Sequence, residues 1–338
     1  MKIIQSYFEN RTQRVQANSD ISEHREVKLG VPQGSILGPL LFIIYINDIV
    51  SVSNEVSFYL FADDTAIIMK GKTCQDIQSQ MDNFIPRLMK WFQCNRLTLN
   101  PSKSCYQLYS LSSNQRDIDI RINNDKIKRC FTVKYLGILV DENLKWESHI
   151  NYVCKKISRN IGIMGRVRYY LSPKELSLLY NAIVLPHLNY CAVIWGSAYQ
   201  TRLQKIVILQ KRAVRIIDHK PFRFPSHELF IKYNVLKFPD LVIEQNIVIL
   251  KSFLNDTLPI PMKDMFHINR PLNTRAPDQF IIPFSRCNYR TSTLSFTAPR
   301  AWNSVVGNMY QQLRDIPSKP VLKKHVRARI LDTYIGRD

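Results

Sequence analysis

VSFYLFADDTAIIM, residues 56–69, is the stretch on which the fold turns. β-Branched and aromatic residues fill both of its ends, and two adjacent aspartates, Asp63 and Asp64, break the apolar run near its middle. Two short strands joined by an acidic turn, a β-hairpin, is the expected structure. Neighbouring carboxylates repel each other and resist burial. A solvated turn accommodates them, and so does a bound divalent cation. Magnesium takes hard oxygen ligands and keeps waters that a phosphate-bearing substrate can replace. Two such ions, about 3.5–4 Å apart, activate an attacking hydroxyl and stabilise a leaving pyrophosphate. Because strand side chains alternate, Asp63 and Asp64 point different ways, and only one aims squarely at the ions.

The flanking segments suit phosphate chemistry. Thirty residues upstream, Gly30, Pro32, Gln33, Gly34 and Ser35 form a glycine- and proline-rich turn. Its glycines let backbone approach a flat ligand closely, and Gln33 and Ser35 offer side-chain hydrogen bonds. The apolar run Ile36–Ile49 then reads as a buried helix beginning near Pro39. Residues 73–92 read as a helix with capping-box spacing at Thr73 and Asp76, an apolar face of Ile77, Met81, Phe84, Ile85 and Leu88, and a kink or break at Pro86. Downstream, Lys103 follows a turn, where an ammonium can reach a triphosphate. Further short strands are expected at Tyr106–Leu111, Ile118–Ile122 and Lys134–Val140.

After Trp146 the pattern becomes helical. Ser172, Pro173 and Glu175 spell a helix start. Residues 202–217 are two-faced at helical spacing: Leu203, Ile206, Val207, Val214 and Ile217 lie on one side, Arg202, Lys205, Arg212 and Arg215 on the other. That basic face reads either as a track for nucleic-acid phosphates or as an ordinary solvated surface. The main boundary is expected between Val140 and Ile150, and residues beyond about 225 carry no clear pattern.

Composition narrows the class. The 338 residues are 45% hydrophobic, enough for a folded core, and 47 Lys and Arg against 27 Asp and Glu give a formal charge of +20. Such an excess suits a polyanion, since each cation that meets a phosphate releases counterions. Seven cysteines, odd in number and without a CxxC pair, argue against a disulfide framework, and His187 with Cys191 lacks two further zinc ligands. The N-terminus has no signal-peptide core, and the longest apolar stretch is too short to span a bilayer. An intracellular protein, cytoplasmic or nuclear, is expected.

In order and spacing, GVPQGSILGPLLFIIYINDI (30–49), FADDTAI (61–67), LNPSKS (99–104) and VKYLGILVDENLKWESHI (133–150) resemble the palm of reverse transcriptases. The likeness is greatest to those of LINE-type (non-LTR) retrotransposons, especially jockey-like elements. It extends through LLYNAIVLPHLNYCAVIWGSA (178–198) and RTSTLSFTAPRAWNSV (290–305), which resemble the region after the polymerase in such elements. The resemblance implies an α+β fold. A partial right-hand palm, an antiparallel sheet with helices, would occupy residues 1–145, a helical thumb-like region 146–225, and a retroelement-type C-terminal region 226–338.

It also implies Mg²⁺-dependent DNA synthesis with RNA template, DNA primer and dNTPs as partners and no membrane. Asp63 would be the metal ligand and Asp64 its acidic neighbour; Gln33 would contact template or nucleotide, and Lys103 would lie near the triphosphate. VKYLGILV would be a hairpin resembling a primer grip. In this family a further aspartate, on an earlier palm strand, completes the two-ion site. SYFENRTQRVQ (6–16) resembles the stretch after that strand, so the chain is expected to be an N-terminally truncated polymerase without fingers and inactive alone. Asp20, in a hydrophilic setting, is expected to lie in a loop and not to substitute. The alternative is a non-catalytic nucleic-acid-binding remnant of a retroelement.

Overall fold

The computed structural model describes residues 2–28, 30–32, 34–110, 117–269, 279–306, 316 and 318–335. They are a mixture of helices and small β-ladders, an α+β protein, in two compact units, residues 1–130 and 131–338. The division falls ahead of the expected Val140–Ile150 boundary and leaves residues 131–145 with the helical half. Among the described residues, every strand pairs with just one other, and no helix is long and apolar enough to cross a membrane.

The first unit opens with α1 (Lys2–Phe8) and a long hairpin in which β1 (Thr12–Gln13) pairs with β4 (Arg25–Glu26) and β2 (Gln16–Ala17) with β3 (Asp20–Ile21). Asp20 therefore sits beside the tip of a hairpin rather than in a plain loop, and it is exposed. Helix α2 (Leu37–Ile46) starts two residues before Pro39 and runs into a 3₁₀ turn, Asn47–Val52. The expectation that it is buried fails. Only Gly38 and Ile46 are buried, while Leu40, Ile43 and Ile44 are about half exposed or more. A helix that is apolar all round does not reveal in its sequence which side the described fold covers.

β5 (Ser57–Phe61) and β6 (Asp64–Ile68) form the expected hairpin, and α3 (Cys74–Cys94) backs it. The Thr73 hydroxyl accepts from Asp76 N–H at 3.1 Å, and the Asp76 carboxylate accepts from Thr73 N–H at 3.0 Å, so the capping box forms. Pro86 does not divide this helix. The hairpin and α3 share a small core of Ile46, Ile49, Phe84 and Leu88, with Phe58, Leu60 and Ile67 packed against it. A second small core gathers Leu108, Ile118, Ile120, Ile122 and Ile127 around three short strands, β8 (Arg121–Ile122), β9 (Asp125–Lys126) and β10 (Lys128–Arg129). β10 pairs parallel with β7 (Cys105–Tyr106), so the longer strands expected over 106–111 and 118–122 shrink to pairs of residues, Leu111 lying outside the described residues.

The second unit starts with β11 (Thr132–Tyr135) and β12 (Ile138–Asp141), the hairpin that the family resemblance implies and that periodicity alone reads as a single strand. Leu136 (φ 44°) and Gly137 (φ 84°) make its two-residue turn, and the Tyr190 hydroxyl donates to Leu136 C=O at 2.5 Å. Among the described residues nine helices follow in the order α4 (Glu147–Val167), α5 (Pro173–Ile183), α6 (Leu185–Asn189), α7 (Ala192–Trp195), α8 (Gln200–Ile217), α9 (His227–Lys232), α10 (Phe238–Leu254), α11 (Ile260–Lys263) and α12 (Asn288–Thr291). α13 (Leu294–Val306) and α14 (Lys319–Ile335) complete the described helices, and β13 (Ile268–Asn269) pairs with β14 (Gln279–Phe280).

One continuous core runs from Ile138 to Tyr334. Residues 146–225 and those after 226 therefore share a single interior among the described residues. Trp195 stacks on Phe238 at 4.6 Å, and His149 meets Trp195 edge-on at 5.2 Å. A side chain at Gly196 would strike Val242 at 2.4 Å, so α7 and α10 can approach only over a glycine. Gln210, fully buried, donates to Tyr180 Oη (3.2 Å) and Leu236 C=O (3.0 Å) and accepts from Phe238 N–H (2.8 Å). Burial pushes the Tyr180 hydroxyl up to about 12, partly offset by that bond from Gln210 and by the charge of Arg327.

His149 is 1% exposed, and its Nδ1 accepts from Leu139 N–H at 3.3 Å. Burial lowers its pKa to about 4 from the ordinary 6.5. The native state thus holds it neutral, while the unfolded chain protonates it below 6.5. Its contribution to stability is whole above that pH and is lost as pH falls toward 4. At pH 5 the loss is about 2 kcal/mol, 1.5 pH units at about 1.36 kcal/mol each. Thermal melts at pH 7 and pH 5 should therefore differ less in His149→Gln, which can still accept from Leu139, than in the parent. Equal pH slopes would remove His149 as the cause.

Candidate active site

The acidic pair sits where the first hairpin reverses. Phe61 pairs with Asp64, so the turn consists of Ala62 and Asp63 alone. Ala62 has φ 51°, a left-handed conformation that costs a residue with a Cβ roughly 1–2 kcal/mol. The ladder on either side enforces it. Along β5, Phe58 and Leu60 turn toward α3, with the Phe58 and Phe84 rings 6.0 Å apart, while Tyr59 and Phe61 are more than half exposed. By alternation Asp64 lies on the Tyr59–Phe61 face, and Asp63 occupies the tip. Both carboxylates are exposed, and neither makes a hydrogen bond or ion pair among the described residues.

The upstream turn is built as its glycines suggest. Gly30 (φ 76°) and Gly34 (φ 84°) both adopt conformations that a side chain would strain. Ser35 Oγ shares a hydrogen bond with the Tyr7 hydroxyl and accepts from Gly38 N–H at 3.0 Å. Its hydroxyl therefore fastens the turn to α1 and to the start of α2. A Cβ on Gly38 would meet that oxygen at 2.8 Å, a constraint the motif did not advertise. Pro32 is exposed, and Gln33 lies outside the described residues. Lys103 ends a 3₁₀ turn, Pro101–Lys103, organised by Asn100, whose Oδ1 accepts from Ser102 N–H (3.1 Å) and Lys103 N–H (3.4 Å). Its ammonium is exposed and has no partner among the described residues.

Two adjacent carboxylates are the right donors for a hard divalent ion, which also keeps waters. They fit one side of its shell. Among the described residues no third His, Cys, Asp or Glu joins them into a metal-holding group.

In the second unit, α8 has its expected apolar face buried: Leu203, Ile206, Val207, Val214 and Ile217. The four basic residues on its other side do not act alike. Arg202 lies 3.5 Å from Glu147 and donates to Lys145 C=O at 3.3 Å, and Lys205 donates to Asn151 Oδ1 at 3.1 Å, so both are engaged with the start of α4 and its lead-in. Arg215 Nε donates to Phe224 C=O at 2.6 Å. Arg212 is exposed and unpaired among the described residues. It and Arg215 line a concavity together with Arg168 and Lys220, two cations that helical periodicity within α8 could not have revealed.

Residues 1–140 match the family model of the reverse transcriptase (RNA-dependent DNA polymerase). Among curated proteins, the chain is 28% identical over 224 residues to the probable RNA-directed DNA polymerase from transposon X-element of Drosophila melanogaster, covering 64% of this chain and 24% of that protein. It is 27% identical over 251 residues to the RNA-directed DNA polymerase from mobile element jockey of the same species, covering 70% and 27%. To the probable RNA-directed DNA polymerase from transposon BS it is 27% identical over 236 residues, covering 65% and 26%. The chain spans about a quarter of the length of these relatives. No solved structure matches it. Through residues 1–140 the chain matches the reverse transcriptases, and by these relatives it is similar to those of LINE-type, non-LTR retrotransposons.

Proposed function

We propose that the chain is a segment of a retrotransposon RNA-directed DNA polymerase and that Asp63 and Asp64 hold Mg²⁺ for template-directed nucleotidyl transfer. The observation that carries this is the two-residue turn, which sets both carboxylates in solvent at the end of an apolar hairpin within the matched residues. Bound there, magnesium would neutralise a triphosphate and favour attack by a primer 3′-hydroxyl. Residues 1–145 would supply part of a palm, 146–225 a thumb-like region, and 226–338 a C-terminal region of retroelement type.

The chain's own residues have separable tasks. Asp63, at the tip, is the principal metal-holding carboxylate, and Asp64 adds negative charge from the adjoining face. The backbone at Gly30, Pro32 and Gly34 gives a nucleotide or template a close approach, with Gln33 as its side-chain contact, while Ser35 keeps that turn in shape. Lys103, unpaired and exposed, would attract the triphosphate. RNA template, DNA primer and dNTPs are the partners this chemistry requires.

The test is RNA-templated primer extension with dNTPs and Mg²⁺. A jockey-type polymerase in which this chain replaces the matching residues should extend, and the 338-residue chain alone should not, because two carboxylates do not hold two ions. Failure of the replaced polymerase, folded and able to bind primer–template, would refute the catalytic assignment. Extension by the 338-residue chain alone would show that the pair suffices. A non-catalytic nucleic-acid-binding role is the second reading, and the four-cation concavity on the helical unit is what favours it.

A further inference from the structure

Arg168, just past the end of α4, and Arg212 and Arg215, in the last turns of α8, converge with Lys220 on a concavity of about 200 Å³ that, among the described residues, no carboxylate lines. Four like charges in so small a space repel one another, and little around them offsets that repulsion. Lys220 lies 4.0 Å from Asp218, but that carboxylate is already held by Lys232 at 2.5 Å and by the Tyr233 hydroxyl. Arg168 Nε is buried with no hydrogen-bond partner, and Arg212 has none among the described residues. A buried donor left unmade carries a desolvation penalty that an oxyanion would remove.

The floor is open as well. Gly165 lies inside α4, where glycine is a poor choice, yet a Cβ there would meet only Ile216 Cδ1 at an ordinary 3.8 Å. Neither packing nor backbone conformation demands glycine at that position. Its missing side chain leaves the pocket unobstructed.

Aromatic rings stand around the cations. Phe222, 76% exposed, lines the pocket with the Arg215 guanidinium 5.9 Å from its ring centre, and Arg168 stacks over Tyr169 at 4.8 Å. The volume is below the roughly 300–1,000 Å³ of ordinary small-molecule sites, so it suits a phosphate group better than a whole ligand. Cations that hold the backbone beside rings on which bases stack are the means by which proteins grip single strands. We propose that Arg168, Arg212, Arg215 and Lys220 form a phosphodiester pocket for single-stranded nucleic acid, with Phe222 stacking on an adjacent base.

The proposal rests on the reading of this chain as a retroelement protein that meets nucleic acid, common to the polymerase and the non-catalytic alternative, for the class of ligand. It is tested by anisotropy of a short labelled single-stranded RNA on the 338-residue chain carrying Asp63→Ala, so that pocket and catalysis can fail separately. Arg168→Gln/Arg212→Gln should weaken binding at least about tenfold and flatten the salt slope by about 1.4, two phosphate contacts at about 0.7 each. Lys323→Gln/Lys324→Gln, which removes the same charge from the exposed face of α14, should cost about threefold or less. Arg168→Lys/Arg212→Lys should restore most of the affinity and guards against misfolding of the glutamine variant. Phe222→Ala should weaken a base-bearing strand about tenfold and leave an abasic strand unchanged. Equal losses from the two glutamine pairs, or a loss below twofold at Arg168 and Arg212, would overturn the pocket. Equal effects of Phe222→Ala on both strands would overturn the stacking. Competition by inorganic phosphate or anionic vesicles without oligonucleotide binding would overturn the nucleic-acid assignment.

Discussion

Replacing Asp63 by alanine in a jockey-type polymerase that carries this chain is expected to slow RNA-templated extension by about 10³-fold or more. Losing a carboxylate that holds the metal removes charge stabilisation of several kcal/mol, and each 1.36 kcal/mol is about a factor of ten. The structure makes the experiment readable. Asp63 is exposed at the tip of a two-residue turn and makes no hydrogen bond or ion pair among the described residues, so its removal leaves packing intact. Exposed positions of this kind usually change stability by less than about 0.5 kcal/mol. Extension rate and melting temperature measured on the same preparations separate catalysis from folding. A loss below tenfold would mean that Asp63 does not carry the metal.

Arg327→Met should strongly destabilise the helical unit. Glu244 on α10 is 2% exposed, and Arg327 on α14 grips it with two parallel bonds, Nε to Oε1 at 2.9 Å and Nη2 to Oε2 at 3.0 Å. Methionine fills much of the volume but leaves a carboxylate buried without its counter-charge, which typically costs about 3–5 kcal/mol. Glu244→Leu/Arg327→Met removes both charges and should recover most of that loss. Chemical denaturation of the parent, the single and the double variant reads the pair directly. If the double variant is as unstable as the single one, stranding of Glu244 is not the cause.

What could be read in the sequence was local. Alternating aromatic and β-branched residues around Asp63-Asp64 specify a hairpin wherever they occur, and the boxes at Thr73–Asp76 and Ser172–Glu175 formed because their partners lie three residues apart. The apolar face of α8 followed from periodicity alone. Features that depend on distant segments were not legible. The hairpin of β11 and β12, a single strand by periodicity, was anticipated through the family resemblance alone, and the contact of Tyr190, more than fifty residues away, with its Leu136–Gly137 turn was not. Glu244 meets Arg327 across 83 residues, so nothing near either reveals that residues after 226 belong to the same interior as α4 and α8. The basic face of α8 was a correct pattern whose parts have different fates: Arg202 and Lys205 are engaged locally, while Arg212 and Arg215 join Arg168 and Lys220.

The uneven distribution of buried side chains has a thermodynamic consequence. The helical unit unites its interior in one cluster, whereas the unit that carries the acidic turn divides its own between two small ones. Denaturant sensitivity scales with the surface released on unfolding, and local opening is easiest where few apolar contacts must be broken. Unfolding of the chain is therefore expected to depart from a single cooperative transition. Sub-global opening around Asp63 is expected to cost less free energy than opening α4 or α10, which leaves the acidic turn on the more easily rearranged of the two units.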